Sequence, residues 1–366
     1  MSLHAATTTR ALPTSHRFPR WLLSFNTLLV FVPLAIVLGR LPVDPLLRFA
    51  VAAIALVPLA IVLARATEDL SAYFNPTVAS LFNATAGNIV EILIAYFALR
   101  AGLIEVVKAS IVGSVLVNIL LLIGLSVFIG GFKFPVQKFN RQVAGVASSM
   151  LLVSIIGMAV PTVYGLTSDG PVDTMSRAIS LALGGIYLLG LVFTLVTHRS
   201  VFRVAQPVER RRGLLPLHTL VAILVGITVA AALVSSVLVE SIQPVTASLN
   251  LTGAFIGLVV IAVLTNVSEK VAAVTYALRN QMDLSMSIGM NSATQIALFA
   301  APIIVLIGWA IGQPMSLVFT PFEMVAMVAS VLVLNHIAAD GECNWLEGAQ
   351  LLTVYMIIII AFFFVA

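Results

Sequence analysis

Charge is scarce in this sequence. Only 9% of its 366 residues are Asp, Glu, Lys or Arg, while 60% are apolar. A soluble domain carries roughly a quarter charged residues. A soluble core of this size could not hide so much apolar surface, so lipid is the expected solvent. A single cysteine, Cys343, excludes an intramolecular disulfide framework and a Cys-rich metal centre. The five histidines (His4, His16, His198, His218 and His336) have no Cys or Asp at metal-ligand spacing. No nucleophile constellation and no phosphate-binding loop stands in the sequence, so ATP-driven work and covalent catalysis are not expected. We therefore expect no resident cofactor, no enzyme and no nucleic-acid partner. The net charge of +4 reads as basic cytoplasmic loops.

What remains is apolar sequence in pieces of membrane-spanning length. About twenty residues cross a bilayer core. Eleven segments qualify: 21–39, 45–64, 77–99, 105–130, 141–164, 176–197, 214–237, 251–278, 284–311, 318–338 and 346–366. Alternating barrel strands are missing and lipid satisfies no backbone groups, so all are expected to be helices. The fold class is thus an all-α polytopic membrane protein of about 11 transmembrane helices. With the N-terminus in the cytoplasm, thirteen Lys and Arg fall inside and five outside, the bias that sets orientation. Residues 1–20 read as a short tail and not as a cleaved signal, because the apolar run behind them is as long as a full span. A bacterial inner membrane is the expected location. The short polar stretch 198–213, with Arg210, Arg211 and Arg212, divides the chain and reads as a topology anchor facing anionic lipid.

The two parts so divided resemble each other. Asn88-Ile-Val-Glu91, Ala98-Leu99-Arg100, Gly113-Ser114 and Asn118 recur as Asn266-Val-Ser-Glu269, Ala277-Leu278-Arg279, Asn291-Ser292 and Gln295. The offset from Asn88 to Asn266 is 178 residues. A five-span repeat (spans 2–6 and 7–11) forces the two copies into opposite orientations. Inverted repeats set discontinuous helices face to face near the midplane, where transporters bind substrate. The organisation expected is a tail (1–20), an extra transmembrane helix (21–39), a first repeat (45–197), a basic loop (198–213) and a second repeat (214–366).

Glu91 and Glu269 are the two carboxylates well inside spans, at matching repeat positions. An ionisable group at that depth costs several kcal/mol unless paired, protonated or facing water. Asn88, Asn118, Asn266, Gln295, Ser114 and Ser292 supply neutral oxygens around them. Hard cations such as calcium take six to eight oxygen ligands of this mixed kind, and soft-metal ligands are lacking. Two carboxylates close together in low dielectric do not both stay ionised easily without a cation. A site that holds either a cation or protons is the core of antiport. The partners expected are inorganic cations, protons and the bilayer, with a homo-oligomer left open.

These residues sit in longer strings that resemble the calcium/proton antiporter family of the cation/calcium exchanger superfamily. The likeness is carried by ATEDLS (66–71), LFNATAGNIVEILIAYFALRAGLIEVVKASIVGSVLVNILLLIGLSVFIGG (81–131), QKFN (137–140), FIGLVVIAVLTNVSEKVAAVTYALRNQMDLSMSIGMNSATQIALFAAPIIVLIGW (255–309) and DGECNWLEGAQLLTVYMI (340–357). It implies an eleven-helix fold with inverted repeats and alternating access. It implies that Glu91 and Glu269 bind transported Ca2+ and H+, with Asn88, Asn266, Ser114, Ser292, Asn118 and Gln295 nearby. Glu68 and Asn83 are implied as accessory or gating residues. The second half departs from the pattern: Thr265-Asn266-Val267-Ser268-Glu269-Lys270 has Lys270 where the family usually has His. Two roles stand open for Lys270, a pairing with a carboxylate or vestibule and a built-in cation that competes with substrate. Two rival readings stay open too: a Na+ or K+/H+ antiporter on the same fold, and a non-transporting or channel-like protein. Asp340, Glu342 and Glu347 read either as a capping loop or as a cation attractor, while Glu240 and Glu323 are expected in headgroup water.

Overall fold

The structure is a computed structural model that describes residues 25–74, 76–168, 170–198, 201 and 215–365. The tail 1–20 and most of the basic loop 198–213 lie outside the described residues. Every expected span is helical over most of its described length. A short helix α1 (Thr27–Leu38) leads to α2 (Pro45–Ser71). A broken span follows, α3 (Pro76–Gly87) and α4 (Ile89–Arg100). Then come α5 (Ile104–Lys133), α6 (Arg141–Thr167) and α7 (Val172–Thr197). The second half runs α8 (Leu217–Leu249), a second broken span α9 (Gly253–Thr265) and α10 (Val267–Ala277), α11 (Met282–Ala310), α12 (Pro321–Ile337) and α13 (Trp345–Val365). The chain is an integral membrane protein: seven of these helices are long and apolar enough to cross a bilayer unaided.

Span ends differ from the sequence reading where polar residues follow an apolar core. Helix α8 runs to Leu249, beyond the expected 237, through Glu240, Ser241 and Gln243. Hydropathy marks the lipid-embedded length, while the helix continues wherever its hydrogen bonds do. It stops at Asn250, whose φ of 52° is the left-handed cap that Asn tolerates. Helix α2 likewise reaches Ser71, past the expected 64.

The two breaks match. Asn88 (φ −99°, ψ 12°) and Asn266 (φ −103°, ψ 20°) both sit in the bridge region between helix and strand. The second span bends by 57° there. Wide turns of π type fall at corresponding places on the two central helices, Val117–Leu122 in α5 and Ile296–Ala300 in α11. Such bulges cluster at functional sites.

Helix α5 is the most enclosed span, with 83% of its apolar window buried, and α7 the most lipid-facing at 17%. Helix α5 meets α9 backbone to backbone. A Cβ on Gly113 would overlap the Leu258 main chain, and one on Gly257 would meet the Val106 carbonyl. Only glycine permits that approach. A two-residue ladder, β1 (Gln137–Lys138) with β2 (Glu342–Cys343), ties the halves together. Gln137 adds a bond from Nε2 to the Ala277 carbonyl at the end of α10, 2.8 Å.

Two surface expectations resolve here. Glu323 is not in headgroup water: it is buried, and its Oε2 accepts from the Thr320 amide at 2.8 Å and hydroxyl at 3.0 Å in a capping box. The hydroxyl and amide at the N-cap compensate the loss of water. Asp340, Glu342 and Glu347 form a capping loop, with Asp340 accepting from the Glu342 amide, Glu347 from the Asn344 amide, and Glu342 paired to Lys138 at 2.8 Å.

Candidate functional site

Each break delivers one acid. Glu91 lies in the first turn of α4 and Glu269 in the first turn of α10. Unpaired amides at a helix N-terminus favour negative charge, so each half-helix supports its own carboxylate. The carboxylates are close enough for their charges to interact, and both are part-buried.

Around them runs a hydrogen-bonded lattice that crosses between the halves. Asn118 on α5 donates through Nδ2 to Asn266 Oδ1 (3.1 Å) and to Ser292 Oγ on α11 (3.3 Å). Asn266 Nδ2 donates to Ser114 Oγ (3.5 Å), to the Ala262 carbonyl (3.0 Å) and to Thr265 Oγ1 (3.0 Å). Asn88 Nδ2 donates to Gln295 Oε1 at 3.3 Å. The Thr265 hydroxyl lies near Glu91 and the Ser292 hydroxyl near Glu269.

Two acceptors remain over. Asn118 Oδ1 and Glu269 Oε2 are buried with no hydrogen-bond partner. Buried acceptors without donors are costly. Among the described residues no group of three or more His, Cys, Asp or Glu could hold a metal ion. A cation at this centre would be held by two carboxylates and neutral oxygens, the donor set of a hard ion.

The structure brings eight predicted site residues together: Glu91, Glu269, Asn88, Asn266, Ser114, Ser292, Asn118 and Gln295. Glu68 and Asn83 are exposed, at the end of α2 and on α3. Lys270, next to Glu269 in the chain, is buried, and its Nζ donates to the Val263 carbonyl at 3.0 Å. Thr265 holds a more central place than the sequence reading gave it, since its hydroxyl accepts from Asn266 Nδ2. Its position directly before the break residue Asn266 was the available signal.

A family model described as sodium/calcium exchanger protein matches residues 44–196 and 219–364. The chain is 40% identical over 362 residues to the Ca(2+)/H(+) antiporter of Synechocystis sp., covering 93% of this chain and 97% of that one. It is 38% identical over 358 residues to the Ca(2+)/H(+) antiporter of Aphanothece halophytica, covering 93% and 96%. The solved structure of native YfkE superposes with a TM-score of 0.81 at 34% identity, covering 93% of this chain and 99% of that one.

Proposed function

This chain belongs to the sodium/calcium exchanger protein family, and on that premise we propose that it exchanges Ca2+ for H+ across a bacterial inner membrane. The observation that carries this reading is the pair of acids at mirrored helix breaks, Glu91 and Glu269, with Asn118 Oδ1 and Glu269 Oε2 left without partners. The Ca(2+)/H(+) antiporters that resemble it over nearly their whole length support the same cargo.

The exchange follows from charge. With Ca2+ bound, Glu91 and Glu269 are both ionised and the ion offsets their repulsion. When the ion leaves, protons take its place on the carboxylates, because two bare charges at this depth are not tolerated. Cation and protons thus occupy the centre in turn, and each displaces the other. Asn88, Asn266, Ser114, Ser292, Asn118 and Gln295 hold and orient the carboxylates, and their oxygens complete the shell of the ion. Carbonyls at the ends of the half-helices α3 and α9 add negative potential on the cation's side. The inverted halves supply alternating access to the two faces of the membrane. Glu68 at the inner end of α2 and Asn83 on α3 serve the approach from the cytoplasm. The basic loops put the N-terminus in the cytoplasm, so Ca2+ leaves the cell as protons enter.

The test is calcium-dependent proton flux in everted vesicles or liposomes. Glu91→Gln and Glu269→Gln each lower exchange by more than about a hundredfold, since each removes a charge realised only with the ion bound. Wild-type protein that moves no calcium under an imposed pH gradient would end the reading.

A further inference from the structure

Lys270 stands where the inverted symmetry fails. Its counterpart in the first repeat, 178 residues earlier, is Ile92, an apolar residue. Both begin their half-helices in the same way: Ile92 N donates to the Asn88 carbonyl at 3.0 Å and Lys270 N to the Asn266 carbonyl at 3.3 Å. Only the second half carries a charge there.

That charge is aimed inward. Lys270 is 9% exposed, and its Nζ reaches back across the break to the Val263 carbonyl at 3.0 Å. Val263 lies in the last turn of α9, where carbonyls run out of helical donors and the helix end is negative. Asn266 Nδ2 already takes the neighbouring Ala262 carbonyl. Lys270 directly follows Glu269 in the chain, and the break that its side chain spans holds Thr265 and Asn266 of the lattice. A lysine ammonium is a compact point charge with donors and no acceptor. It therefore puts a positive charge on a helix-end carbonyl at the break that carries Glu269.

We propose that Lys270 is a tethered cation, held on the helix-end carbonyl of Val263 at the break that carries Glu269, which lowers the charge of this centre from two negatives to one, so that divalent ions are held weakly and monovalent ions are not rejected. This deepens the exchange reading and rests on it. A divalent ion feels the ammonium twice as strongly as a monovalent one does, so the lysine sets selectivity as well as affinity.

Full-length protein in liposomes with an imposed pH gradient provides the test. Calcium uptake is measured against calcium concentration, with Na+ and K+ as competitors, for wild type, Lys270→Gln, Lys270→Met and Lys270→Arg. Both neutral variants are expected to lower the KM for calcium by about tenfold or more and to sharpen the preference for Ca2+ over Na+. Lys270→Arg, which keeps the charge, is expected to stay near wild type in both. A merely structural lysine would leave the calcium-to-sodium ratio unchanged in all three. Unchanged or weaker calcium affinity in a folded neutral variant overturns the proposal, as does Lys270→Arg behaving like Lys270→Gln. The two neutral side chains guard against one failing to fold, and calcium titration of the detergent-purified variants reads the same affinity without transport. If wild type moves Na+ or K+ but no calcium, the calcium reading falls. The tethered-cation proposal is then judged on the gain in calcium inhibition in the neutral variants.

Discussion

Asn118 shows how much one side chain holds at this centre. Its Nδ2 serves Asn266 and Ser292 at once, and its Oδ1 faces the centre without a donor. Replacing it with Ala strands Asn266 Oδ1 in a buried place, which costs about 1–3 kcal/mol. We expect Asn118→Ala to lower the unfolding free energy by that amount in a denaturant titration and to raise the KM for calcium. Cys343 makes a second case, outside the membrane-spanning segments. Burial first, then the nearby Glu347 and Asp340 charges, push its thiol up to about 12. At pH 7 only roughly one thiol in 10^5 is then the reactive thiolate. The native protein is expected to resist maleimide at that pH and to label fully once unfolded, as read by fluorescence on a gel. Rapid labelling of native protein would show the loop open. At this scale the pair Glu91 and Glu269 was legible because a charged residue in an apolar run is conspicuous. The Val263 carbonyl under Lys270 was not, because backbone geometry leaves no mark in residue identity.

Among elements, the crossing of α5 and α9 matters most. Gly113 and Gly257 let the two main chains touch, and they place Ser114 within reach of Asn266. A single methyl at Gly113 has backbone, not a yielding side chain, in its way. Gly113→Ala is expected to destabilise the fold by about 1–3 kcal/mol, the cost of overpacking. Gly226→Ala on the exposed face of α8, where nothing lies within 4 Å, is the neutral control. Thermal unfolding in detergent separates them. Helix existence was legible from hydropathy, since eleven apolar runs became helices. The matching breaks at Asn88 and Asn266 were legible only as a general expectation of discontinuous helices. A local Asn in the bridge region competes with helix by small energies that composition does not reveal. The burial of Glu323 escaped the sequence too, because its capping box depends on Thr320 meeting it at a helix start.

For the whole molecule, the inverted repeat was read from short strings, and the paired breaks and π turns now give it physical form. The lattice that joins Asn118 to Asn266 and Asn88 to Gln295 runs across the halves. Backbone contact at Gly113 and Gly257 fastens the same helices. The middle of the protein is therefore expected to turn as one block. A disulfide from Val106→Cys and Gly253→Cys, made in a Cys343→Ser background, joins residues already in contact and should leave the exchange rate unchanged. A cross-link from α2 to α10 should stall exchange, and vesicle flux with and without reductant distinguishes the two. If the first disulfide also stops transport, the halves slide past each other. The interlocking has a plain outcome for the cargo. An ion walled in by both halves need not be handed from one to the other; it keeps its place while inside and outside are brought to it by turns.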